Sequence, residues 1–250
     1  MLKINSNNTT PSESESQDSD VVGRFRAGYQ DSEGMHSLSA FRLTTGDAGL
    51  MDKLVKEFGK SKDFGEDAGP NEWDATGEDY LELFSAASQV SIILDSAADY
   101  RTQLVRRTAD GDFMYATDGE IITAVGEEYE DEFEVGNPDP QIDQDLTTRK
   151  AKAKKGLGSK PDIRVRFRLA DHEDWGLFEY RTSGWSLVDN SPEGKLQRLG
   201  EGRIKAVLKL SEVKTKRWTY TKPEFLVRGL VDGPEKPAVE VEDEDESPIK

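Results

Sequence analysis

Two stretches of the chain alternate apolar and polar residues and weave arginine between the apolar positions. One is Val21-Val22-Gly23-Arg24-Phe25-Arg26-Ala27-Gly28-Tyr29, followed by Ser39-Ala40-Phe41-Arg42-Leu43-Thr44-Thr45. In the other, Ile163, Val165, Phe167 and Leu169 alternate with Arg164, Arg166 and Arg168, and Trp175-Gly176-Leu177-Phe178-Glu179-Tyr180 follows. A period of two sends successive side chains to opposite faces of a strand. The pattern therefore predicts half-buried strands whose outer face carries guanidinium groups.

The same reasoning places strands over 22–29 and 38–44, joined by a turn at Asp31-Ser32-Glu33-Gly34. Leu50, Met51, Leu54, Val55 and Phe58 then recur at helical spacing, with Asp47 as N-cap and Gly59 as stop. Asp52 with Lys56 and Lys53 with Glu57 add favourable pairs one turn apart. Further strands are predicted over 73–76, 80–85 and 90–94. In the second half, strands are predicted over 175–180 and 185–188, with a turn at Ser183-Gly184. A short helix over 192–199 follows, with Pro192 in its first turn and Gly200 as stop. Ile204, Ala206, Leu208 and Leu210 alternate with Arg203, Lys205 and Lys209, another half-buried strand, and strands over 218–221 and 225–227 complete the set. Lys222-Pro223 implies a sheet edge or a break, because proline has no N–H for a ladder.

The fold class these elements imply is α+β: antiparallel and β-rich with one or two short helices, in two small subdomains with disordered acidic tails. The expected boundaries are a tail over 1–20, an N-terminal subdomain over 21–125, a charged linker over 126–160, a C-terminal subdomain over 161–229 and a second tail over 230–250. The linker is read from an acidic run over 127–134, Pro138 and Pro140, and a basic run over 149–155. Such a segment is a solvated connector or a basic handle on a partner.

Composition changes this picture in one respect. Hydrophobic residues make up 34% of the 250 residues and charged residues 33%, which is lean for one packed globule and points to disordered parts. Acids outnumber bases by 50 to 33, for a formal net charge of -17. Holding a phosphate backbone as the main task would favour the opposite sign. No run approaches the ~20 apolar residues of a membrane span, and the N-terminus is polar rather than signal-like. A soluble, cytoplasmic protein is expected.

Candidate chemistry is sparse. The chain has no cysteine, which removes disulfides, thiolate nucleophiles and cysteine-ligated zinc, and His36 and His172 are its two imidazoles. Asp171-His172-Glu173-Asp174 is the cluster nearest to a metal or acid–base site, but four consecutive residues between strands read as a polar turn. Asp110-Gly111-Asp112 and Asp118-Gly119-Glu120 lack the spacing of a calcium loop and also read as turns. Phosphate-binding, nucleophile-elbow and dinucleotide signatures are missing. The expectation is a protein that is not an enzyme, with no catalytic, cofactor-binding or metal-binding residue and no cofactor. Arg164, Arg166 and Arg168 could hold phosphate beside stacking platforms at Trp175, Tyr180, Trp185 and Trp218, or pair with carboxylates such as Glu173 and Glu179. The acid excess favours the second reading, and on exposure grounds Arg24, Arg26, Arg164, Arg166, Arg168, Trp175 and Trp185 are the residues expected to touch a partner.

The order of these motifs resembles the recombination directionality factors of actinobacterial phages that work with large serine integrases. The resemblance runs from Val22-Gly23-Arg24-Phe25-Arg26-Ala27-Gly28 through Leu38 and Phe41-Arg42-Leu43-Thr44 to the helix ending at Phe58-Gly59, and on to Glu72-Trp73. It resumes at Lys160-Pro161 and continues through Trp175-Gly176-Leu177-Phe178, Ser183-Gly184-Trp185 and Lys205-Ala206-Val207-Leu208-Lys209-Leu210 to Val227. The chain departs from the family midway, where members carry a cysteine-containing stretch and this sequence has Arg106-Arg107-Thr108-Ala109-Asp110-Gly111. The resemblance implies a non-catalytic phage protein of the host bacterial cytoplasm. Its partner would be a phage serine integrase bound on its DNA sites, which it would switch from attP × attB integration to attL × attR excision, with little or no direct DNA binding of its own. The alternative, drawn from the arginine and aromatic faces, is a phage single-stranded nucleic-acid-binding or replication accessory protein.

Overall fold

A computed structural model describes residues 20–73, 79–215 and 219–232. The two expected tails therefore lie outside the described residues, apart from Asp20 and residues 230–232, and so do positions 74–76 of the strand expected over 73–76 and Trp218 of the strand expected over 218–221.

The chain opens with β1 (Val21–Asp31) and β2 (Gly34–Thr45), a hairpin whose turn is set by Asp31. The Asp31 carboxylate accepts the N–H groups of Glu33 at 2.8 Å and Gly34 at 3.1 Å. Helix α1 (Ala48–Phe58) follows as the spacing predicts: Asp47 accepts from the N–H groups of Gly49 and Leu50, Gly59 at φ 63° ends the helix, and Leu50, Met51 and Leu54 are buried. Then come β3 (Asn71–Glu72), β4 (Leu81–Phe84), β5 (Gln89–Leu94), β6 (Tyr100–Arg107), β7 (Phe113–Thr117) and β8 (Ile122–Val125). Helix α2 (Leu146–Lys154) leads to β9 (Lys160–Leu169) and β10 (Leu177–Thr182). Helices α3 (Ser186–Asp189) and α4 (Glu193–Leu199) precede the final hairpin of β11 (Ile204–Lys214) and β12 (Thr219–Leu230). Pro223 lies within β12, which is an edge strand and has no ladder to lose on its outer side.

These strands form one twelve-stranded mixed sheet with the path β12-β11-β5-β9-β10-β1-β2-β4-β3, while β6, β7 and β8 branch off. Strand β9 is the branch point. Its first half pairs with β6 and its last two residues with β5, both on the edge opposite β10. Strands β1 and β10 run parallel, with Arg24 beside Glu179 and Phe25 beside Tyr180. The other ladders among the described residues are antiparallel. The sheet curls so that β11 and β12 approach β2, and its inner face, with Phe25, Leu43, Leu83, Ile92, Val165, Phe167, Phe178 and Leu208, packs with α1, α3 and α4 into one core. Phe25 sits at the centre, edge-on to Phe41, Phe58, Phe167 and Phe178 at 5.4–5.7 Å between centroids.

The fold class expected from sequence is corrected on two counts. The protein is mostly β and carries four α-helices among the described residues, on one large mixed sheet rather than small antiparallel subdomains. Strands β9 and β10, expected in a separate C-terminal unit, lie between β5 and β1 of the N-terminal half. Period-two patterning reveals a strand but carries no information on its neighbour, so a parallel pairing between distant strands leaves no local trace. At 185–188 the chain is helical rather than extended: Trp185, Leu187 and Val188 make too short an apolar run for periodicity to separate the two. The segment 126–160 contains α2 and a buried ion pair, Arg149 with Asp139. Among the described residues, no helix is long and apolar enough to cross a membrane.

Candidate partner-binding face

The outer face of the sheet follows from the alternation that buries the inner one. In β9 every second residue from Pro161 to Leu169 is buried, and Asp162, Arg164, Arg166 and Arg168 project to the other side. Register extends this surface across neighbouring strands. Arg164 lies between Arg101 of β6 and Arg181 of β10. Arg166 lies beside Glu179, which lies beside Arg24, then Thr44, then Glu82. Arg26 pairs with Arg42, and Arg42 with Phe84. The β1–β10 pairing is what makes one surface of these arginines, since it joins the two arginine-bearing strands through a single intervening strand.

Packed cations of one sign require compensation, and the face supplies it from the buried carboxylates of Asp79 and Glu179 and the half-buried one of Glu82. Asp79 receives Arg24 Nη1 at 2.7 Å and the Thr44 hydroxyl at 3.1 Å, with Arg26 Nη2 at 3.8 Å. Glu179 stands 3.6 Å from Arg24 Nε. Glu82 takes Arg42 through one oxygen, Oε2, which meets Nε at 2.6 Å and Nη2 at 2.5 Å. The plane of Trp73 lies against this group, with the Arg42 guanidinium carbon 4.1 Å and that of Arg26 5.6 Å from the ring centroid. The Trp73 indole N–H donates to the backbone carbonyl of Asp79, which holds the ring in place. Burial first, and the charge of Arg42 next, hold the Arg26 guanidinium below the ordinary arginine value, while Asp79 opposes them.

The expected contact residues divide between the two faces. Arg24, Arg26, Arg164, Arg166 and Arg168 share the outer one, with Arg168 reaching Asp95 at 3.1 Å and Arg164 standing 3.8 Å from Asp162. Trp175 and Trp185 instead pack against the core. His172 stacks on Trp175 at 4.0 Å and meets Glu57 of α1 at 2.9 Å, which turns Trp175 towards the helix layer. Trp185 lies near Lys150 of α2, at 5.9 Å. Sequence reasoning missed Arg42, Trp73, Asp79 and Glu82 as members of the cluster. The signal at Arg42 was present: it sits in the same alternation as Arg24 and Arg26.

The polar runs weighed as metal sites are turns. Residues Glu173–Trp175 form a single 3-10 turn, and Asp118 accepts the N–H groups of Glu120 and Ile121 at 2.8 Å each. Among the described residues, no group of three or more His, Asp or Glu stands where it could hold a metal ion. No protein-family model matches the chain, and no solved structure matches it.

Proposed function

We propose that this chain is a recombination directionality factor, which binds a phage serine integrase on its DNA sites and turns it from attP × attB integration to attL × attR excision. The observation that carries this reading is the cluster of Arg24, Arg26 and Trp73 on the outer face, backed by the buried Arg42 and held by Asp79, Glu82 and Glu179. Arginine and tryptophan are the usual anchors of protein interfaces, and side chains already fixed by ion pairs lose little freedom on docking. The segments that carry the resemblance supply this face: β1 and β2 in the first block, β9 and β10 in the second. A net charge of -17 favours encounter with a basic, DNA-bound recombinase.

On this reading the serine nucleophile belongs to the integrase, and the chain acts as a ligand. It favours excision by binding the integrase arrangement on attL and attR more tightly than that on attP and attB. Reversing a 1:99 preference needs a differential affinity of roughly 10⁴-fold. A single-stranded nucleic-acid binder has less support, because among the expected platforms Tyr180 is 0% exposed and Trp175 and Trp185 are partly buried against the core, while Trp218 lies outside the described residues.

The test is an attL × attR reaction with candidate serine integrases, with and without the chain, alongside gel shifts of integrase–DNA complexes. Excision product and a supershift that depend on the chain support the reading. Neither product nor supershift with any integrase would defeat it.

A further inference from the structure

The outer face ends in a groove of about 750 Å³, bounded by the turn between β6 and β7, the segment joining α2 to β9, and the end of β10. Among the described residues its lining carries six cationic side chains (Arg26, Arg106, Arg107, Lys155, Lys160 and Arg181) and a single carboxylate, Asp162. In a chain of net charge -17 this is a local reversal of sign.

Two of the six are compensated, Arg26 standing 3.8 Å from Asp79 and Arg181 bonded to Asp162, while Arg106, Arg107, Lys155 and Lys160 form no ion pair among the described residues. Asp162 is already engaged, accepting from Arg181 Nε at 2.6 Å and Gln103 Nε2 at 3.3 Å. Arg106 donates to the backbone carbonyl of Gly156 at 2.6 Å and Arg107 to that of Gly111 at 2.9 Å. Those bonds orient the guanidinium groups but leave their charge unbalanced. Lys155 and Lys160 are exposed and form no ion pair among the described residues. Arg106 and Arg107 both line the groove, at the point where β7 carries one extra residue against β6.

The wall that carries the lysines is also held from below. Arg149 and Asp139 anchor α2, and the Ser159 N–H donates to Gln141 Oε1 at 3.1 Å. Gly158 is buried so closely that a Cβ would lie 3.0 Å from Gln141 Nε2 and 3.0 Å from Lys152 Cβ. Like charges are thus gathered on a supported framework, an arrangement that a multiply charged anion relieves. Among the described residues the lining contains no aromatic ring, so the fit is to successive phosphates rather than stacked bases.

We propose that this groove binds the phosphate backbone of duplex DNA, without regard to sequence. The contact goes beyond integrase binding and is tested apart from it. Repulsion from the acidic remainder keeps the free chain's affinity low and strongly salt-dependent. A partner already on DNA would raise the local concentration of phosphate enough for the groove to fill.

The experiment titrates a fluorescent duplex of arbitrary sequence with the full chain at several low salt concentrations, reading anisotropy. Two double charge reversals are compared: Lys155→Glu with Lys160→Glu in the groove, and Lys205→Glu with Lys209→Glu on β11 as a control away from it. Unfolding curves establish that both variants fold. The groove reversal is expected to weaken binding roughly tenfold or more and to flatten the log–log salt dependence by about 2, one phosphate contact for each lysine. The β11 reversal is expected to change affinity by less than about threefold, as befits a long-range effect alone. Absence of duplex binding at the lowest salt, or equal losses from both reversals, overturns the proposal. Displacement of the duplex by an acidic peptide of equal charge concentration also overturns it, in favour of a protein ligand.

Discussion

Arg149 of α2 and Asp139 meet at 2.8 Å with side chains that are 1% and 0% exposed. The remaining polar atoms are satisfied as well. Arg149 also donates to the carbonyls of Gly119 at 2.9 Å and Gln141 at 2.6 Å, and Asp139 accepts from the Thr117 hydroxyl at 3.2 Å and the Gln141 N–H at 2.7 Å. This network ties α2 to the turn between β7 and β8 and supports the segment that leads into β9.

Removing one partner leaves a carboxylate buried without its counter-charge. Arg149→Met is therefore expected to lower stability by about 3–5 kcal/mol. Urea unfolding monitored by circular dichroism measures it, and a midpoint within error of the parent would show that the pair is not buried in solution.

The Arg42–Trp73 contact separates geometry from charge. Arg42→Lys keeps the cation but loses the paired Nε and Nη2 contacts to Glu82 Oε2 and the guanidinium's contact with the indole ring, for an expected cost of about 1 kcal/mol in stability. Arg42 is itself 6% exposed, so if the cluster anchors the integrase it acts by holding Trp73, and affinity for the integrase–DNA complex should fall by roughly three- to tenfold. Calorimetric binding checks it, and unchanged affinity would place the anchor elsewhere on the face.

Trp175 is expected to behave in the opposite way. It packs against the core under His172, so Trp175→Ala should destabilise by about 2 kcal/mol or more through the cavity it leaves. Affinity of the folded fraction for the integrase–DNA complex should stay within about threefold, since no anchor is lost. A variant with normal stability and lost affinity would return Trp175 to the contact surface.

Asp145 makes α2 sensitive to acid. Its carboxylate caps the helix, accepting the Thr148 N–H at 2.7 Å, and that bond foremost holds its pKa below the ordinary 3.8. A depressed folded pKa means the cap contributes fully above 3.8 and is lost as pH falls through the lower folded value. Amide exchange at Thr148 should therefore accelerate below that range in the parent. Asp145→Ala should show fast exchange already at neutral pH, and equal exchange in both proteins would mean the cap is not formed.

What could be read before folding was what neighbouring residues decide among themselves. The alternation of β9, the turn at Asp31 and helix α1 with its caps at Asp47 and Gly59 all stand where the pattern places them, because period, capping and turn chemistry act within a few residues. Strand β6 was not predicted: Tyr100, Thr102 and Leu104 alternate as buried positions, but the polar residues among them hid the stripe.

Which strands lie side by side, and which charges end up without water, was settled only in three dimensions. The parallel pairing of β1 with β10 brings Arg24 to Glu179, and β9 divides between β5 and β6. Both are choices of packing between segments far apart in the chain. Arg149 stands in a basic run that reads as a solvated segment, yet it is buried because Asp139 and two backbone carbonyls meet it there. Residue type fixes a side chain's charge and length, but its environment is created by whatever the fold packs against it, and that is a property of the whole chain.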